Sequence, residues 1–344
     1  MVSAADTLHA TMRCAAPVGR RSYGRRSLRI LGVMILAAAL GAACSHAART
    51  ASPMASSADF AAKVDIGKGR KMFIECRGAG APTVVLVSGL DAAADLWHRP
   101  GQREPTVFSG VAAFTRVCAY DRPGAPQGAG LPSRSDPVAQ PTTPKDAVED
   151  LHALLRAAHV PGPYVLVGHS YGGLVTRLFA STYPDETSGM VLVDIFSEGL
   201  RDAMTPEEWI IWKRANARLP QDIAEYPALE RTDYDAALDQ IHAAQPIRPM
   251  PLVVLSADVR YGPTVPGLID KGEIPPDTPR NFGYVIDRAN TVAQKALAQL
   301  VPGARHVTDT HSGHNMMIDQ PQLVIDAIQR VVAAVRRGAG AVAD

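Results

Sequence analysis

The stretch Tyr164–Leu174 reads YVLVGHSYGGL, and it is the segment from which the fold can be predicted. Its first four residues form an apolar run typical of a strand buried on both faces. Gly168 and Gly172 then enclose Ser170 in the pattern Gly-x-Ser-x-Gly, and a helical pattern follows directly. Such a turn is strained by about 1–3 kcal/mol, but it holds the hydroxyl clear of the sheet beside the amides of a helix N-terminus. We therefore predict that Ser170 is a nucleophile.

The rest of the body alternates strand and helix patterns. Short β-branched runs at Thr83–Val87, Met190–Val193 and Leu252–Leu255 predict buried strands, and longer amphipathic patterns over Lys145–His159 and Gln322–Val335 predict helices. Further strands are predicted at Lys63–Ile66, Lys71–Glu75, Thr115–Tyr120 and Arg305–Val307, and a further helix at Ala289–Leu300. This order predicts an α/β fold, with a mostly parallel central sheet flanked by helices.

Two segments interrupt the alternation. Asp121–Pro144 is rich in proline and glycine and predicts a long surface loop. Residues 197–250 carry aromatic and charged residues in a helical pattern, and we predict that they form a cap over the carboxyl ends of the strands, where ligands bind in open α/β sheets. The alternative is a set of ordinary surface helices. No CxxC or HExxH spacing occurs, so neither a metal nor a cofactor is expected.

A serine nucleophile needs a general base, and His314 is the candidate. It follows the last predicted strand and precedes the last helix, and Gly313 before it favours a tight loop that delivers the imidazole. His311 is the alternative in the same loop. His169, next to the nucleophile, is expected to contribute packing or hydrogen bonding.

The base in turn needs a carboxylate that orients it. Asp194 ends one predicted strand, and Asp258 follows the next strand along the chain. We favour Asp194 because it can reach the base from a strand end. Asp258 stays open as the alternative, and the residue that is not the acid is expected to cap a loop.

Acyl transfer also requires donors for the developing oxyanion. The backbone N–H of Tyr171, directly after the nucleophile, is one candidate. The other is the N–H of Leu90, in the turn after the strand Thr83–Val87. The alternative interpretation of that second segment is a plain turn.

The N-terminus predicts export. Six arginines precede the apolar run Ile30–Cys44, which is shorter than the ~20 residues of a membrane-spanning helix. Cys44 is either the lipidated first residue of a lipoprotein or simply lies beside a cleavage site near Ala43. We predict a signal at residues 1–44, a linker at 45–62 and one domain at 63–337. The location is then the cell envelope, with or without a lipid anchor, or the medium.

Composition narrows the class of protein. The chain has 344 residues, of which 47% are hydrophobic and 20% charged, as in a globular domain with a sizeable core. The formal net charge of +1 gives no general attraction to nucleic acid, and membrane contact is expected only through a lipid anchor or an uncleaved signal.

With these residues placed, the body resembles the α/β-hydrolase superfamily from roughly Asp65 to Arg337, and in particular bacterial esterase- or lipase-like members. The resemblance rests on the serine motif, on Val117–Gly124 (VCAYDRPG) and on Ser312–His314 (SGH). It implies a metal-free hydrolase with a helical cap between the sixth and seventh strands and with the histidine last in chain order. The chain departs from the family pattern in two places. Ser88 replaces the usual histidine of the oxyanion turn, and the Gly-x-x-Asp turn near Asp258 is missing, which leaves the acid open.

The resemblance also bears on the cysteines. In the usual strand order of this fold, the strands holding Cys76 and Cys118 are neighbours, so a cross-strand disulfide is expected in an exported protein. Two buried free thiols are the alternative.

The expected function is hydrolysis of a small-molecule or lipid-like carboxylic ester through an acyl-enzyme. The same residues would also serve an acyltransferase, a perhydrolase or an amidase. A non-catalytic surface binding protein is the alternative of a different class.

Overall fold

The computed structural model describes residues 58–99 and 101–342. The predictions for the signal, the lipidation of Cys44 and most of the linker therefore lie outside the described residues. Eight strands form one sheet in the order β1-β2-β4-β3-β5-β6-β7-β8. They are β1 (Phe60–Gly67), β2 (Arg70–Arg77), β3 (Thr83–Val87), β4 (Val117–Tyr120), β5 (Tyr164–His169), β6 (Thr187–Val193), β7 (Leu252–Leu255) and β8 (Arg305–Val307). The β1–β2 and β2–β4 pairs are antiparallel, and the other pairs are parallel, which confirms the predicted sheet.

Eleven α-helices connect or follow these strands within the described residues. They are α1 (Val107–Ala112), α2 (Pro144–Ala157), α3 (Gly172–Thr182), α4 (Glu198–Asp202), α5 (Pro206–Ala215), α6 (Pro220–Glu225), α7 (Tyr234–His242), α8 (Val265–Asp270), α9 (Phe282–Leu297), α10 (Met316–Asp319) and α11 (Pro321–Arg336).

Alternate residues of β3 enter two different apolar layers. Val85 and Val87 belong to a buried cluster that includes the inner faces of α2 and α3. Val84 and Leu86 belong to a second cluster, with the inner faces of α1 and α11. Because successive side chains of a strand point to opposite faces, helices cover the sheet on both sides.

Four helices, α4–α7, occupy the segment between β6 and β7, where the cap was predicted. Aromatic stacking joins this cap to the sheet. Phe196, just after β6, stacks on Trp212 of α5 with ring centroids 5.2 Å apart, and Trp209 stacks on Trp212 at 4.8 Å. The cap is therefore packed against the end of a central strand.

Several boundaries differ from the sequence predictions. Residues 60–62, predicted as linker, already pair with β2, and α9 begins at Phe282 rather than Ala289. α1 and α8 were not predicted, because six residues are too few to show a helical period. Residues 121–126, predicted to begin a surface loop, are buried. Asp121 is fully buried, and its carboxylate accepts the Ala94 N–H at 2.9 Å and pairs with Arg134.

The two cysteines of the body lie opposite each other on neighbouring strands. Cys76 of β2 and Cys118 of β4 are register partners, both are fully buried, and a disulfide joins them. The bond therefore ties the antiparallel edge of the sheet to its parallel centre. Within the described part of the chain, we find no helix with both the length and the apolar character needed to span a bilayer.

Candidate active site

The serine of Gly-x-Ser-x-Gly lies on a tight turn between β5 and α3. Ser170 has a φ of 52°, in the left-handed region that a non-glycine residue rarely adopts. A Cβ at Gly168 would lie 2.8 Å from the Gly172 carbonyl oxygen, and a Cβ at Gly172 would lie 2.3 Å from that of Val87. Both flanking positions therefore require glycine.

The imidazole of His314 is held by a carboxylate at the end of β6. His314 Nδ1 lies 2.6 Å from Asp194 Oδ2, and Asp194 Oδ1 accepts the Ala257 N–H at 3.0 Å. Asp194 is buried, with a φ of 41°. An ionised carboxylate is acceptor-only, so Nδ1 carries the proton and Nε2 of His314 is the basic nitrogen.

The other candidate acid occupies a different position. Asp258 accepts backbone N–H groups from Thr310, His311 and Ser312 at 3.1, 2.9 and 3.0 Å. Burial raises the pKa of the Asp258 carboxyl, but the hydrogen bonds from these amides outweigh it and lower the pKa overall. The structure thus brings Asp194, and not Asp258, to His314, and Asp258 closes the loop that carries the imidazole.

Two other histidines lie near the site, His311 on the surface and His169 in the interior. The side chain of His311 is 79% exposed and lies beside Asp258. His169 is buried, and its Nε2 donates to the His314 carbonyl oxygen at 3.0 Å. Burial, and then the electrostatic effect of the neighbouring His314, hold the pKa of His169 well below its usual value, so the ring is neutral. His169 therefore fixes the backbone of His314, as the expected hydrogen-bonding role requires.

The turn after β3 approaches the serine closely. A Cβ at Gly89 would lie 3.0 Å from the Ser170 Cβ. The predicted oxyanion donors, Leu90 and Tyr171, line the same cavity as Ser170 and His314. The predicted nucleophile, base and oxyanion donors are therefore brought together at the carboxyl ends of the central strands.

This cavity has a volume of about 200 Å³. Leu200, Trp212 and Tyr234 of the cap line one side of it. The sequence analysis did not identify several further lining residues, since they come from scattered segments with no local motif: Arg99, Asn216, Arg218, Tyr261, Ile286 and Asn290. The lining thus combines apolar and aromatic side chains with several polar and charged ones, including those of Arg99, Arg218 and Asn290.

One cluster in the described region resembles a metal site in composition. Ligand atoms of Asp258, Asp309 and His311 lie within 4.8 Å of one another. Both carboxylate oxygens of Asp258 already accept backbone amides, so we interpret the cluster as loop closure and assign no metal to it.

A mostly parallel sheet, with a serine turn, an acid and a histidine at the carboxyl ends of its strands, defines the class of α/β hydrolases. A model of the "Alpha/beta hydrolase family" matches residues 84–327, and the chain belongs to this family. This result confirms the resemblance noted from the sequence motifs.

Curated relatives are mostly matched over part of their length. An uncharacterized Schizosaccharomyces pombe protein is 38% identical over 90 residues, 26% of this chain and 16% of that protein. An "AB hydrolase superfamily protein" of Gibberella zeae is 22% identical over 79% of this chain and 94% of its own length. A pimeloyl-[acyl-carrier protein] methyl ester esterase of Chromobacterium violaceum is 33% identical over 39% of this chain and 45% of its own length. The chain therefore spans under two thirds of two of these three relatives.

Solved structures share the fold at low identity. A candidate acyltransferase from Salmonella enterica superposes with a TM-score of 0.53, 16% identity and coverage of 83% of this chain and 98% of that one. A candidate lipase from Acinetobacter baumannii superposes with a TM-score of 0.51 and 19% identity, and the match covers 81% of this chain and 93% of that one. Identities this low establish the fold alone. Membership of the α/β-hydrolase family therefore rests on the family model and not on these structures.

Proposed function

We propose that the protein is a serine hydrolase that cleaves carboxylic esters through an acyl-enzyme, with Ser170 as nucleophile, His314 as base and Asp194 as acid. The observation that carries the proposal is the 2.6 Å contact from His314 Nδ1 to Asp194, in a cavity that Ser170 also lines. Ser170 follows β5, Asp194 follows β6 and His314 lies in the loop after β8, and a serine, a histidine and a carboxylate in one cavity are the groups that serine activation needs.

The proposed chemistry has two steps. His314 Nε2 takes the Ser170 proton as Oγ attacks the ester carbonyl, and the amides of Leu90 and Tyr171 stabilise the resulting oxyanion. The carbon–oxygen bond to the alcohol then breaks, and the alcohol leaves with the proton from His314. Water attacks the acyl-enzyme, His314 takes its proton, and the bond from carbon to Oγ breaks as Ser170 regains a proton. The carboxylic acid is released.

The cavity favours compact substrates. Its volume of about 200 Å³ is below the about 300–1,000 Å³ typical of pockets for drug-sized ligands. We propose that short acyl groups are preferred to long ones. Leu200, Trp212 and Tyr234 in its wall provide apolar contact area for the acyl group of a small ester.

The test is hydrolysis of p-nitrophenyl esters from acetyl to palmitoyl by the purified protein. The expected result is turnover of the short esters and a loss on the order of 10⁶ in kcat for Ser170→Ala. Ser188→Ala is a matched control, since that hydroxyl bonds the Tyr164 carbonyl away from the cavity. Full activity in Ser170→Ala would overturn the proposal. An added alcohol or peroxide that diverts the acyl group would instead indicate an acyltransferase or perhydrolase, and faster cleavage of a matched amide would indicate an amidase.

We also propose that the protein is exported. The disulfide between Cys76 and Cys118 supports an oxidising compartment, and the N-terminal sequence supports a signal. The intact mass of the mature protein distinguishes the two forms of processing: a diacylglyceryl group on Cys44 indicates a lipoprotein, and an unmodified N-terminus near Ala43 indicates simple cleavage. An uncut chain found only in the cytoplasm would contradict export.

A further inference from the structure

The oxyanion turn, Ser88–Asp91, lies beyond the end of β3, so no strand pairing fixes its peptide groups. An oxyanion donor stabilises the transition state only when it is held at 2.7–3.1 Å from the developing charge, roughly. Some other contact must therefore set the direction of the Leu90 N–H.

That contact is a buried guanidinium. Arg122 donates from Nη1–H to the Ser88 carbonyl oxygen at 2.7 Å and from Nη2–H to the Gly89 carbonyl oxygen at 2.5 Å. The Gly89 carbonyl and the Leu90 N–H belong to one planar trans peptide group, so they point in opposite directions. Holding the carbonyl on Arg122 therefore sets the direction of the N–H, and the nearby positive charge polarises the peptide towards stronger donation.

The guanidinium is in turn held by a carboxylate from the cap segment. Glu230, between α6 and α7, accepts Arg122 Nε–H at 2.5 Å and Nη2–H at 2.9 Å, and both side chains are almost fully buried. The same carboxylate accepts the Asp91 N–H at 3.2 Å. Glu230 thus neutralises the buried charge of Arg122 and also holds Asp91, the last residue of the oxyanion turn, by a hydrogen bond.

Two further contacts involve the oxyanion turn and Tyr171, the residue that supplies the other donor. Arg218 forms an ion pair with the side chain of Asp91, whose φ is 61°. The guanidinium carbon of Arg122 lies 5.5 Å from the ring centroid of Tyr171, the residue that supplies the other oxyanion donor. One buried ion pair therefore contacts both the oxyanion turn and the ring of the residue that supplies the other donor.

We propose that Arg122 and Glu230 are positioning residues for the oxyanion hole. Through this pair, the cap fixes the direction of the Leu90 N–H, in addition to forming part of the cavity wall. This inference rests on the proposed ester hydrolase function. It predicts that breaking the pair slows acylation of Ser170 more than it weakens substrate binding.

The experiment measures kcat, KM and the rate of fluorophosphonate labelling of Ser170 in Arg122→Gln and Glu230→Gln, with Tm recorded for each. We expect kcat and the labelling rate to fall by about 10²–10³, the usual effect of losing one oxyanion donor, with KM little changed. The double variant should be much less impaired than the product of the two single effects, because both residues hold the same oxyanion turn. Arg122→Lys keeps the positive charge but loses the two-pronged guanidinium donor, so its kcat should lie between those of the wild type and Arg122→Gln.

The matched control is Arg177→Gln. Arg177 forms a similar bidentate pair with Glu198, at 2.5 and 2.6 Å, away from the oxyanion turn. It should lose Tm without losing kcat. Should Arg122→Gln prove unfolded, the isosteric Glu230→Gln decides the matter.

The outcomes separate the two proposals. An active wild type, with folded Arg122→Gln and Glu230→Gln variants that keep their kcat and labelling rate, would overturn the positioning role alone. A wild type that neither hydrolyses esters nor reacts with the fluorophosphonate would overturn the hydrolase mechanism, and the positioning role with it.

Discussion

Replacing Asp194 with asparagine should reverse the tautomer of His314. Asp194 Oδ1 accepts the Ala257 N–H at 3.0 Å, and Oδ2 lies 2.6 Å from His314 Nδ1. In the variant, the amide oxygen must remain with the Ala257 N–H, which needs an acceptor, so the NH₂ group faces His314. Nδ1 then has to accept, and the imidazole proton moves to Nε2. A protonated Nε2 cannot take the Ser170 proton.

The expected magnitude is large. In a serine triad, this wrong tautomer lowers kcat by about 10⁴, which corresponds to roughly 5 kcal/mol of transition-state free energy. We therefore expect Asp194→Asn to lose about this factor in kcat for p-nitrophenyl acetate, while the fold is kept because asparagine has the shape of aspartate.

Asp258→Asn is the matched control, since it changes the other candidate acid in the same way. Its carboxylate accepts only loop amides at residues 310–312, so we expect a loss of stability of about 1–3 kcal/mol and a much smaller loss of kcat. The reasoning would be refuted if folded Asp194→Asn kept most of its activity, or if Asp258→Asn lost more activity than Asp194→Asn.

The remaining predictions concern stability. Gly172→Ala should lower both Tm and activity, because its Cβ would lie 2.3 Å from the Val87 carbonyl oxygen. Gly267→Ala is the control and should keep Tm, because a Cβ there meets no atom within 4 Å. Equal Tm values for the two variants would contradict the tight turn at Gly172. Reducing the disulfide, which closes a loop of 42 residues, should lower the free energy of unfolding by about 4 kcal/mol, measured by urea denaturation. Detection of two free thiols in the oxidised protein would contradict the disulfide. Because His169 stays neutral in the fold while the unfolded chain takes up a proton near pH 6.5, the free energy of unfolding should fall as the pH drops below that value. His169→Gln should flatten this slope, and an unchanged slope would contradict the assignment.

Local patterns in the sequence were sufficient to predict the fold and the turn that carries Ser170. Short continuous apolar runs, amphipathic runs with a helical period and one glycine-flanked serine are each short-range signals, because the backbone conformation of a few residues produces them. The strand–turn–helix around Ser170 therefore lies where the sequence analysis predicted it. The short helices α1 and α8 were missed, since they carry too few residues to show a period.

Only the tertiary structure decided between the two carboxylates. Asp194 and Asp258 follow neighbouring parallel strands, so both lie near the same edge of the sheet. The strand-end position of Asp194 favoured it but left Asp258 open as the partner of His314. The decision depends on the path of the loop that carries His314, whose amides bind Asp258 and leave the imidazole to Asp194. The same holds for Arg122 and Glu230, which are 108 residues apart in sequence. Contacts of this kind arise when segments distant in sequence pack together. In the sequence alone, Arg122 and Glu230 look like any other charged residues in loops.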